Sequence, residues 1–297
     1  MVWVDLGYAI WFVATAGIIA VTGLDDAIVD LMVHGRTVWR SITVYGRYPR
    51  ATATTLPKRP ERALAVLIPA WRESAVIAEM LTHLIETAHY TRYCVLVGVY
   101  PNDPATRRAV ERVAGNAADT PHRRTFPPIH LVQVPRPGPT SKADCLNALY
   151  RAARPFGPAA YVLHDAEDVV DPHAFRLFNH LIDRFQMVQL PVVPLPSGRH
   201  LGVGNHYLDE FAEAHGRDLP WREALVGYVP SAGVGCAFQA AALDRLATVR
   251  ADRPFLDGML TEDYEVAVAI GLRGGHGALV RMAQRPAGAL VATRAYF

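Results

Sequence analysis

The sequence predicts an α/β protein with a doubly wound, mostly parallel sheet and an N-terminal transmembrane helix. Between residues 63 and 193, short apolar runs typical of buried parallel strands alternate with segments whose apolar residues recur at helical spacing. Ahead of them, residues 6–24 contain no charged side chain. A run of about 18 or more such residues is long enough to span a membrane.

The apolar run is predicted to be a membrane anchor rather than a cleaved signal peptide. No Lys or Arg precedes it, and it exceeds the roughly 7–15 apolar residues of a signal peptide. A buried amphipathic helix, with Asp25, Asp26 and Asp30 starting a soluble face, is the alternative. The positive-inside rule predicts that the rest of the chain lies in the cytoplasm, because the run is followed by Arg36, Arg40, Arg47 and Arg50.

Composition excludes several classes of protein. The chain has 297 residues, with 30 Lys plus Arg against 28 Asp plus Glu and a net charge of +2. This balance provides no polybasic surface, so no nucleic-acid partner is expected. The cysteines, Cys94, Cys145 and Cys236, are widely spaced and form no Cys-x-x-Cys pair. They are predicted to be small core residues rather than zinc ligands or disulfides.

The predicted organisation is an anchor and linker over residues 1–60 and one large domain over residues 61–297. The domain begins with strand 63–69 and helix 74–87, with Ser74 as a cap. Beyond Pro194 we expect Gly- and Pro-rich loops, with Pro196, Gly198, Gly202 and Gly204 in one of them, and then a helix from Thr261 to Ile270. Between these parts we predict strand 93–100, a helix from Asp103, strand 129–134, helix 141–154, strand 161–165, helix 172–184 and strand 187–193.

A cluster of carboxylates, Asp165, Glu167 and Asp168, follows the apolar residues 161–163. The carboxyl ends of strands in open α/β sheets are where ligands bind. Oxygen ligands suit Mg²⁺ or Mn²⁺, which usually take one or two protein carboxylates together with substrate phosphates. The alternative is a group of solvated loop acids. Asp171, which precedes Pro172, is interpreted as a helix cap.

Two acids follow the first two predicted strands at the same edge. Glu73 and Asp103 could accept hydrogen bonds from a ribose or a base, although Glu73 could instead stabilise a helix N-terminus and Asp103 could cap a helix. Lys142 follows a stiff loop at a helix start, which is an arrangement that binds a diphosphate; a solvated first-turn lysine is the alternative.

A second acidic pair, Glu262 and Asp263, lies at the start of the last predicted helix. Across a cleft from a metal and diphosphate site, such a carboxylate can deprotonate an acceptor hydroxyl. The helix N-terminus is expected to lower its pKa. Alternatively, Thr261 caps the helix and both acids only complement the helix dipole.

Placed in order, these motifs resemble the membrane-bound family 2 glycosyltransferases over residues 63–275. The matching pieces are Pro69-Ala70-Trp71-x-Glu73, Asp103, Ser141-Lys142 with Asn147, Asp165-Ala166-Glu167-Asp168 and Thr261-Glu262-Asp263. Longer strings are similar to the bacterial inner-membrane adsorption protein B group of that family: RPGPTSKADCLN at 136–147, LHDAEDV at 163–169 and VPSAGVG at 229–235.

The resemblance implies a GT-A fold and inverting transfer from a UDP-sugar, plausibly an N-acetylhexosamine, to a polysaccharide or lipid-linked acceptor. It implies that the protein lies in the bacterial inner membrane with the glycosyltransferase domain facing the cytoplasm. The implied roles are donor binding by Glu73, Asp103, Lys142 and Asp165, metal binding by Asp165 and Glu167 with Mg²⁺ or Mn²⁺, base catalysis by Asp263 beside Glu262, and an acceptor border at Ser231, Gly233 and Gly235.

The sequence departs from the family pattern at two places. Glu167 stands where the family usually has Asp, which leaves Asp168 as an alternative metal ligand. No Gln-x-x-Arg-Trp segment occurs before Phe297, so the glycosyltransferase domain is expected to be C-terminally incomplete. The alternative function is a catalytically incomplete nucleotide-sugar-binding scaffold, or a surface-assembly partner related to phage adsorption.

Overall fold

A computed structural model describes residues 2–118, 129–195, 201–259 and 261–296. Contacts divide the chain into two compact units, Met1–Arg50 and Ala51–Phe297. The first unit contains the predicted membrane segment, and the second contains every candidate site residue.

The first unit is built on one helix, α1 (Val2–Thr43). It extends well beyond the predicted run of residues 6–24, because the charged residues that follow continue the same helix. At 1.5 Å per residue it is roughly 60 Å long, against about 30 Å for the hydrocarbon core of a bilayer. Its large apolar side chains, such as Trp11 and Phe12, are exposed. Within the described ranges, it is the one helix long and apolar enough to cross a membrane.

The second unit is an α/β sheet whose strands and helices alternate as far as the fifth strand. The strands are β1 (Leu64–Pro69), β2 (Tyr93–Val99), β3 (Ile129–Gln133), β4 (Ala160–Leu163), β5 (Met187–Gln189), β6 (Val192–Leu195), β7 (Cys236–Gln239), β8 (Gly277–Leu279) and β9 (Thr293–Tyr296). The helices are α2 (Ile77–Thr87), α3 (Pro104–Ala118), α4 (Lys142–Ala153), α5 (Ala174–Leu181), α6 (Leu201–Glu213), α7 (Leu219–Val226), α8 (Ala240–Val249) and α9 (Glu262–Gly271).

Seven of the described strands form one sheet in the order β3-β2-β1-β4-β7-β5-β8. All neighbouring pairs in it are parallel except those of β7, which runs antiparallel to both β4 and β5. Alternate residues of β1 belong to two different buried clusters, as expected for a sheet covered by helices on both faces. The predicted fold class is confirmed.

Some predicted elements are wrong in detail. The single strand expected over residues 187–193 is two strands, β5 and β6, and β6 pairs with β9 outside the main sheet. The loop expected after Pro194 contains a helix, because Gly202 and Gly204 lie in α6. Pro196 and Gly198 lie outside the described residues.

Two predicted helix caps are also wrong. Helix α2 begins at Ile77 rather than near Ser74, and no side chain caps it. Helix α5 begins at Ala174, so Asp171 lies before the helix instead of capping it. The Asp171 carboxylate accepts hydrogen bonds from the backbone N–H of His173, at 2.9 Å, and from Gln284 Nε2, at 2.6 Å. These contacts tie the start of α5 to a distant turn.

The predicted linker, residues 52–60, belongs to the second unit, which begins at Ala51. Ala53 is fully buried, and its backbone N–H donates to the Ala283 carbonyl at 2.9 Å. Just beyond the linker, Arg62 Nε donates to Asn179 Oδ1 at 2.8 Å. The three cysteines are buried and unpaired, as predicted.

We predict that His215 makes the free energy of unfolding depend on pH. Burial lowers the pKa of His215 from 6.5 to about 4, so the unfolded chain binds a proton that the folded chain excludes. Stability should fall by about 3 kcal/mol as the pH drops from 6.5 to 4. Denaturant titrations of the detergent-solubilised chain at several pH values measure it. His215→Leu should flatten this slope, whereas substitution of exposed His206 should leave it unchanged; an equal slope in His215→Leu contradicts the assignment.

Candidate functional site

The candidate site lies at one edge of the sheet. Strands β1, β2 and β4 are parallel neighbours, so their carboxyl ends meet there. These ends are followed by Glu73, Asp103 and Asp165, respectively. Strand β7 is antiparallel, so its first residue, Cys236, pairs with Leu163, the last residue of β4. The loop before β7 therefore reaches the same edge.

Asp103 holds the loop after β1 in place. Its Oδ2 accepts a hydrogen bond from the Arg72 backbone N–H at 2.6 Å, and its Oδ1 accepts from the Thr106 N–H at 3.2 Å. Thr106 Oγ1 in turn accepts from the Glu73 N–H at 3.0 Å. Burial alone would raise the pKa of Asp103, but the hydrogen bonds from Thr106 and Arg72 outweigh it and lower the pKa. The ionised side chain therefore caps α3 and orients Glu73.

Three carboxylates near the carboxyl ends of β1 and β4 influence one another electrostatically. Burial raises the pKa of Glu167 to about 7, and the fields of Asp165 and Glu73 contribute. Burial, followed by Asp165 and Asp103, also raises the pKa of Glu73. The mutual repulsion of Asp165, Glu167 and Glu73 makes this corner of the site favourable for a cation.

Asp168 differs from these acids in its burial and in its hydrogen bonds. Its side chain is fully buried; Oδ2 accepts from the Asp165 backbone N–H at 3.1 Å and lies 2.8 Å from His164 Nδ1. Burial raises the pKa of Asp168. In this geometry Asp168 supports the main chain at Asp165, while Glu167 is the cluster's second carboxylate on the site side.

Lys142 provides the positive charge of the site. It is the first residue of α4, and Nζ lies 2.6 Å from Asp165 Oδ1. Burial opposes its charge, but the ion pair with Asp165 and the fields of Asp263 and Glu262 outweigh burial and raise the pKa of Lys142. The lysine is therefore held charged among three acids.

Asp263 completes the arrangement from α9. A Cβ placed on Gly233 would lie 2.5 Å from Asp263 Oδ2 and 3.5 Å from Lys142 Nζ, so both side chains border the same small space. Burial raises the pKa of Asp263 despite the opposing field of Lys142, and burial also raises the pKa of Glu262. The pKa lowering expected from the helix N-terminus is thus wrong, because burial dominates.

The predicted acceptor loop has a tightly constrained backbone. Gly233 and Gly235 have φ values of +77° and +59°, which side chains other than Gly rarely adopt. A Cβ on Gly235 would lie 2.2 Å from Thr293 Oγ1. The Ser231 hydroxyl is buried, accepts from the Gly233 N–H at 3.1 Å and lies 3.1 Å from Cys236 Sγ as a donor. Ser231 therefore shapes the loop, and Gly233 is the residue that faces the charged groups.

Gln189 is absent from the residues that the sequence predicts for the site. Its side chain is fully buried at the end of β5 and hydrogen-bonds to the backbone of residues 232–235. One signal in the sequence resembles that for Asp165: a polar residue ends an apolar strand.

The protein side chains alone supply only some of the ligands that a divalent cation needs. In the ranges that the structure covers, no group of three or more His, Cys, Asp or Glu side chains could hold a metal ion. Asp165 and Glu167 nevertheless supply the one or two carboxylates with which proteins bind Mg²⁺, the remaining ligands being phosphate and water oxygens. Their mutual repulsion is consistent with such an ion.

Comparison with known proteins gives sequence matches over most of the chain. A model described as glycosyltransferase-like family 2 matches residues 60–290. Bacteriophage adsorption protein B of Escherichia coli (strain K12) is 40% identical over 274 residues, which cover 90% of this chain and 36% of that protein. Bacteriophage N4 adsorption protein B of E. coli O157:H7 matches to the same extent. The chain thus spans about a third of the length of these relatives. The resemblance inferred from the motifs is confirmed.

Solved structures share the fold. The mannosyltransferase PcManGT from Pyrobaculum calidifontis, in complex with GDP-Man and Mn²⁺, gives a TM-score of 0.57 at 18% identity, covering 90% of this chain and 66% of that one. A TarS fragment from S. aureus in complex with UDP-GlcNAc gives 0.53 at 14% identity, covering 79% and 58%. These similarities confirm the GT-A fold.

We predict that Gly235→Ala destabilises the second unit more than Gly258→Ala does. Both glycines have a positive φ, but a Cβ on Gly258 meets nothing within 4 Å. Gly258→Ala should therefore cost only the backbone strain, about 1 kcal/mol. Gly235→Ala should cost about 1–3 kcal/mol more, because it collides with Thr293. Denaturant unfolding of both variants measures the difference, and equal losses would contradict the close packing.

Proposed function

This chain belongs to glycosyltransferase-like family 2, and we propose that it transfers a sugar from a UDP-sugar to an acceptor hydroxyl with inversion at the anomeric carbon. The observation that carries the proposal is the convergence of one lysine and two acids, Lys142, Asp165 and Asp263, at the carboxyl edge of the sheet. A charged lysine beside one carboxylate, with a second, partly buried carboxylate on a different helix, provides the groups that this reaction requires.

The proposed donor is a UDP-sugar whose sugar is an N-acetylhexosamine. The TarS fragment was solved with UDP-GlcNAc and PcManGT with GDP-Man, which supports a nucleotide sugar as the donor class. We assign Glu73 to the uridine and Lys142 to the diphosphate, since a charged lysine at a helix N-terminus favours phosphate oxygens. Asp103 would contribute to donor binding by holding the loop that carries Glu73.

Asp165 and Glu167 would hold Mg²⁺ or Mn²⁺ together with the diphosphate. When bound, the ion neutralises charge on the diphosphate as it leaves. The buried position of Asp168 favours Glu167 as the second ligand. The pair between Lys142 and Asp165 means that donor binding would redistribute the contacts of both side chains.

Asp263 is the proposed general base. The acceptor oxygen attacks the anomeric carbon, the bond from that carbon to the diphosphate oxygen breaks, and the hydroxyl proton passes to the Asp263 carboxylate. A single displacement of this kind inverts the anomeric configuration. Burial raises the pKa of Asp263, which makes it a stronger base than an exposed aspartate. Glu262, the neighbouring buried acid, would contribute to the negative field around Lys142.

The proposed acceptor is a polysaccharide or a lipid-linked sugar at the bacterial inner membrane. Helix α1 is long and apolar enough to span a bilayer, and the arginines between residues 36 and 50 favour a cytoplasmic location for the domain that follows. The loop of residues 231–235 would border the acceptor. An acceptor attached to the membrane is consistent with an anchored enzyme.

A nucleotide-sugar-binding scaffold is the second candidate. It is favoured by the Lys142–Asp165 pair, which occupies an oxygen that the metal would need. The relatives of this chain are named for phage adsorption, which is consistent with a role in surface assembly. Incubating membranes that carry the chain with UDP-sugars and Mn²⁺ separates the two functions, because only the enzyme releases UDP.

We predict that Asp263→Asn lowers transfer by about 10²–10⁴-fold while UDP binding is kept, because the amide cannot accept the proton. UDP release and UDP affinity should be measured on the same preparation. Glu262→Gln should have a smaller effect, and Asp209→Asn, the same change at an exposed residue of α6, should have none. Full transfer by Asp263→Asn would refute the base assignment.

We predict that nucleotide binding depends on a divalent cation through Asp165. Asp165→Asn should raise the Mn²⁺ concentration for half-maximal UDP binding roughly tenfold or more, and a chelator should lower the affinity of the unchanged chain for UDP. Calorimetric titrations with and without EDTA provide the measurement, with Asp209→Asn as the charge-matched control. Equal UDP affinity with and without metal would remove the metal from the proposal.

A further inference from the structure

Gln189 lies where β5, β7 and the loop before β7 meet. It is the last residue of β5 and is paired in register with Cys236, the first residue of β7. Its side chain is fully buried. A buried amide must find hydrogen-bond partners within the protein, and those partners lie on the loop before β7.

Both the nitrogen and the oxygen of the Gln189 amide form hydrogen bonds with this loop. Nε2 donates to the Val234 carbonyl at 2.8 Å and lies 3.3 Å from the Gly235 carbonyl, with a further bond to Leu190 at 2.8 Å. Oε1 accepts from the Ala232 backbone N–H at 2.9 Å. One side chain thus holds the backbone on both sides of Gly233.

The position of Gly233 matters because nothing separates it from the charged groups. A Cβ there would lie 2.5 Å from Asp263 Oδ2, so a small shift of the loop changes the space beside that carboxylate. Gly235, with its positive φ and close contact to Thr293, leaves the loop little freedom to shift without losing its bonds. The hydrogen bonds of Gln189 hold this loop from β5, in addition to the bond from the Gly233 N–H to Ser231 within the loop.

We propose that Gln189 is a positioning residue for the transfer reaction, which sets the backbone of residues 232–235 against Asp263 so that an acceptor hydroxyl is aligned with the base. The inference rests on the proposed function. Gln189 makes none of its described hydrogen bonds to Lys142 or Asp165, and a Cβ on Gly233 would lie nearer to Asp263 Oδ2, at 2.5 Å, than to Lys142 Nζ, at 3.5 Å. The larger effect should therefore fall on the chemical step and the smaller one on donor binding.

The test uses the full chain in detergent or in membranes, with Gln189→Met as the main variant. Methionine has a similar length and removes both hydrogen-bonding ends. Gln239→Met is the matched control: Gln239 is the last residue of β7, at the end of the strand away from the loop, and its Nε2 donates to the Ile182 carbonyl at 2.8 Å. Gln189→Asn, which keeps the amide but shortens its reach, is the milder variant.

The first readout is kinetic. A panel of UDP- and GDP-sugars that includes UDP-GlcNAc is tested as donors in the presence of Mn²⁺. A displacement of about 1 Å at a reacting centre costs about 10²-fold in rate. We expect Gln189→Met to lower kcat for UDP release by about that factor, with the donor KM changed by less than about threefold. Gln239→Met should leave both values unchanged. Parallel losses of kcat and donor affinity in Gln189→Met would overturn the inference.

The second readout does not need activity. Cys236 is fully buried beside the loop and accepts from the Ser231 hydroxyl, whereas Cys94 and Cys145 are buried elsewhere in the sheet and in α4. Burial raises the pKa of Cys236 to about 12, so the buried thiol should react slowly with an alkylating reagent. We expect Gln189→Met to accelerate alkylation of Cys236 alone, and to accelerate amide exchange at Ala232.

These readouts separate the possible failures. If the unchanged chain releases no nucleotide from any donor, the proposed function fails, whereas the alkylation of Cys236 still reports on the loop. If Gln189→Met exposes all three cysteines, the Asn variant is tested instead. Equal exposure of all three cysteines in both variants, or unchanged Cys236 labelling, would show that Gln189 is only a core residue.

Discussion

Strand β7 runs antiparallel between β4 and β5, and much of the site depends on this constraint. The residue before β7, Gly235, donates its N–H to the Leu163 carbonyl at 3.0 Å and accepts from the Leu190 N–H at 2.9 Å. A parallel strand at this place would start at the opposite edge of the sheet. Because β7 is reversed, the loop of residues 231–235 lies between the strand that leads to Asp165 and the strand that ends at Gln189, and Gly235 is hydrogen-bonded to both sides.

The acids of the site surround one lysine. Lys142 pairs with Asp165, which follows β4, and lies in the fields of Asp263 and Glu262 on α9. Without this cation, several partly buried carboxylates would repel one another across the cleft, and burial already raises the pKa of those on both sides. A divalent cation bound together with a diphosphate would reduce the repulsion among these carboxylates. The chemistry of a sugar nucleotide and the electrostatics of the protein are therefore compatible.

Strand ends predicted which acids meet at one edge of the sheet, and helix ends were poorer predictors of local structure. The acids after β1, β2 and β4 meet at one edge, as parallel strands require, and the acids of α9 reach it as well. The cap expected at Ser74 is absent, and the strand expected over residues 187–193 divides between two sheets. Both errors concern short segments in which tertiary contacts outweigh local propensity.

The sequence by itself determined the parallel α/β architecture and the kinds of residue at the site, because apolar periodicity and strand-end polarity are local properties of the chain. Only the tertiary structure decided which polar atoms face the cleft. Asp103 and Asp168 both turn toward backbone N–H groups, and Gln189 reaches a loop more than 40 residues away. Such partners are selected by the way distant segments pack, and spacing along the chain contains no record of them. The antiparallel insertion of β7 likewise depends on which strands pair, which local patterns leave open.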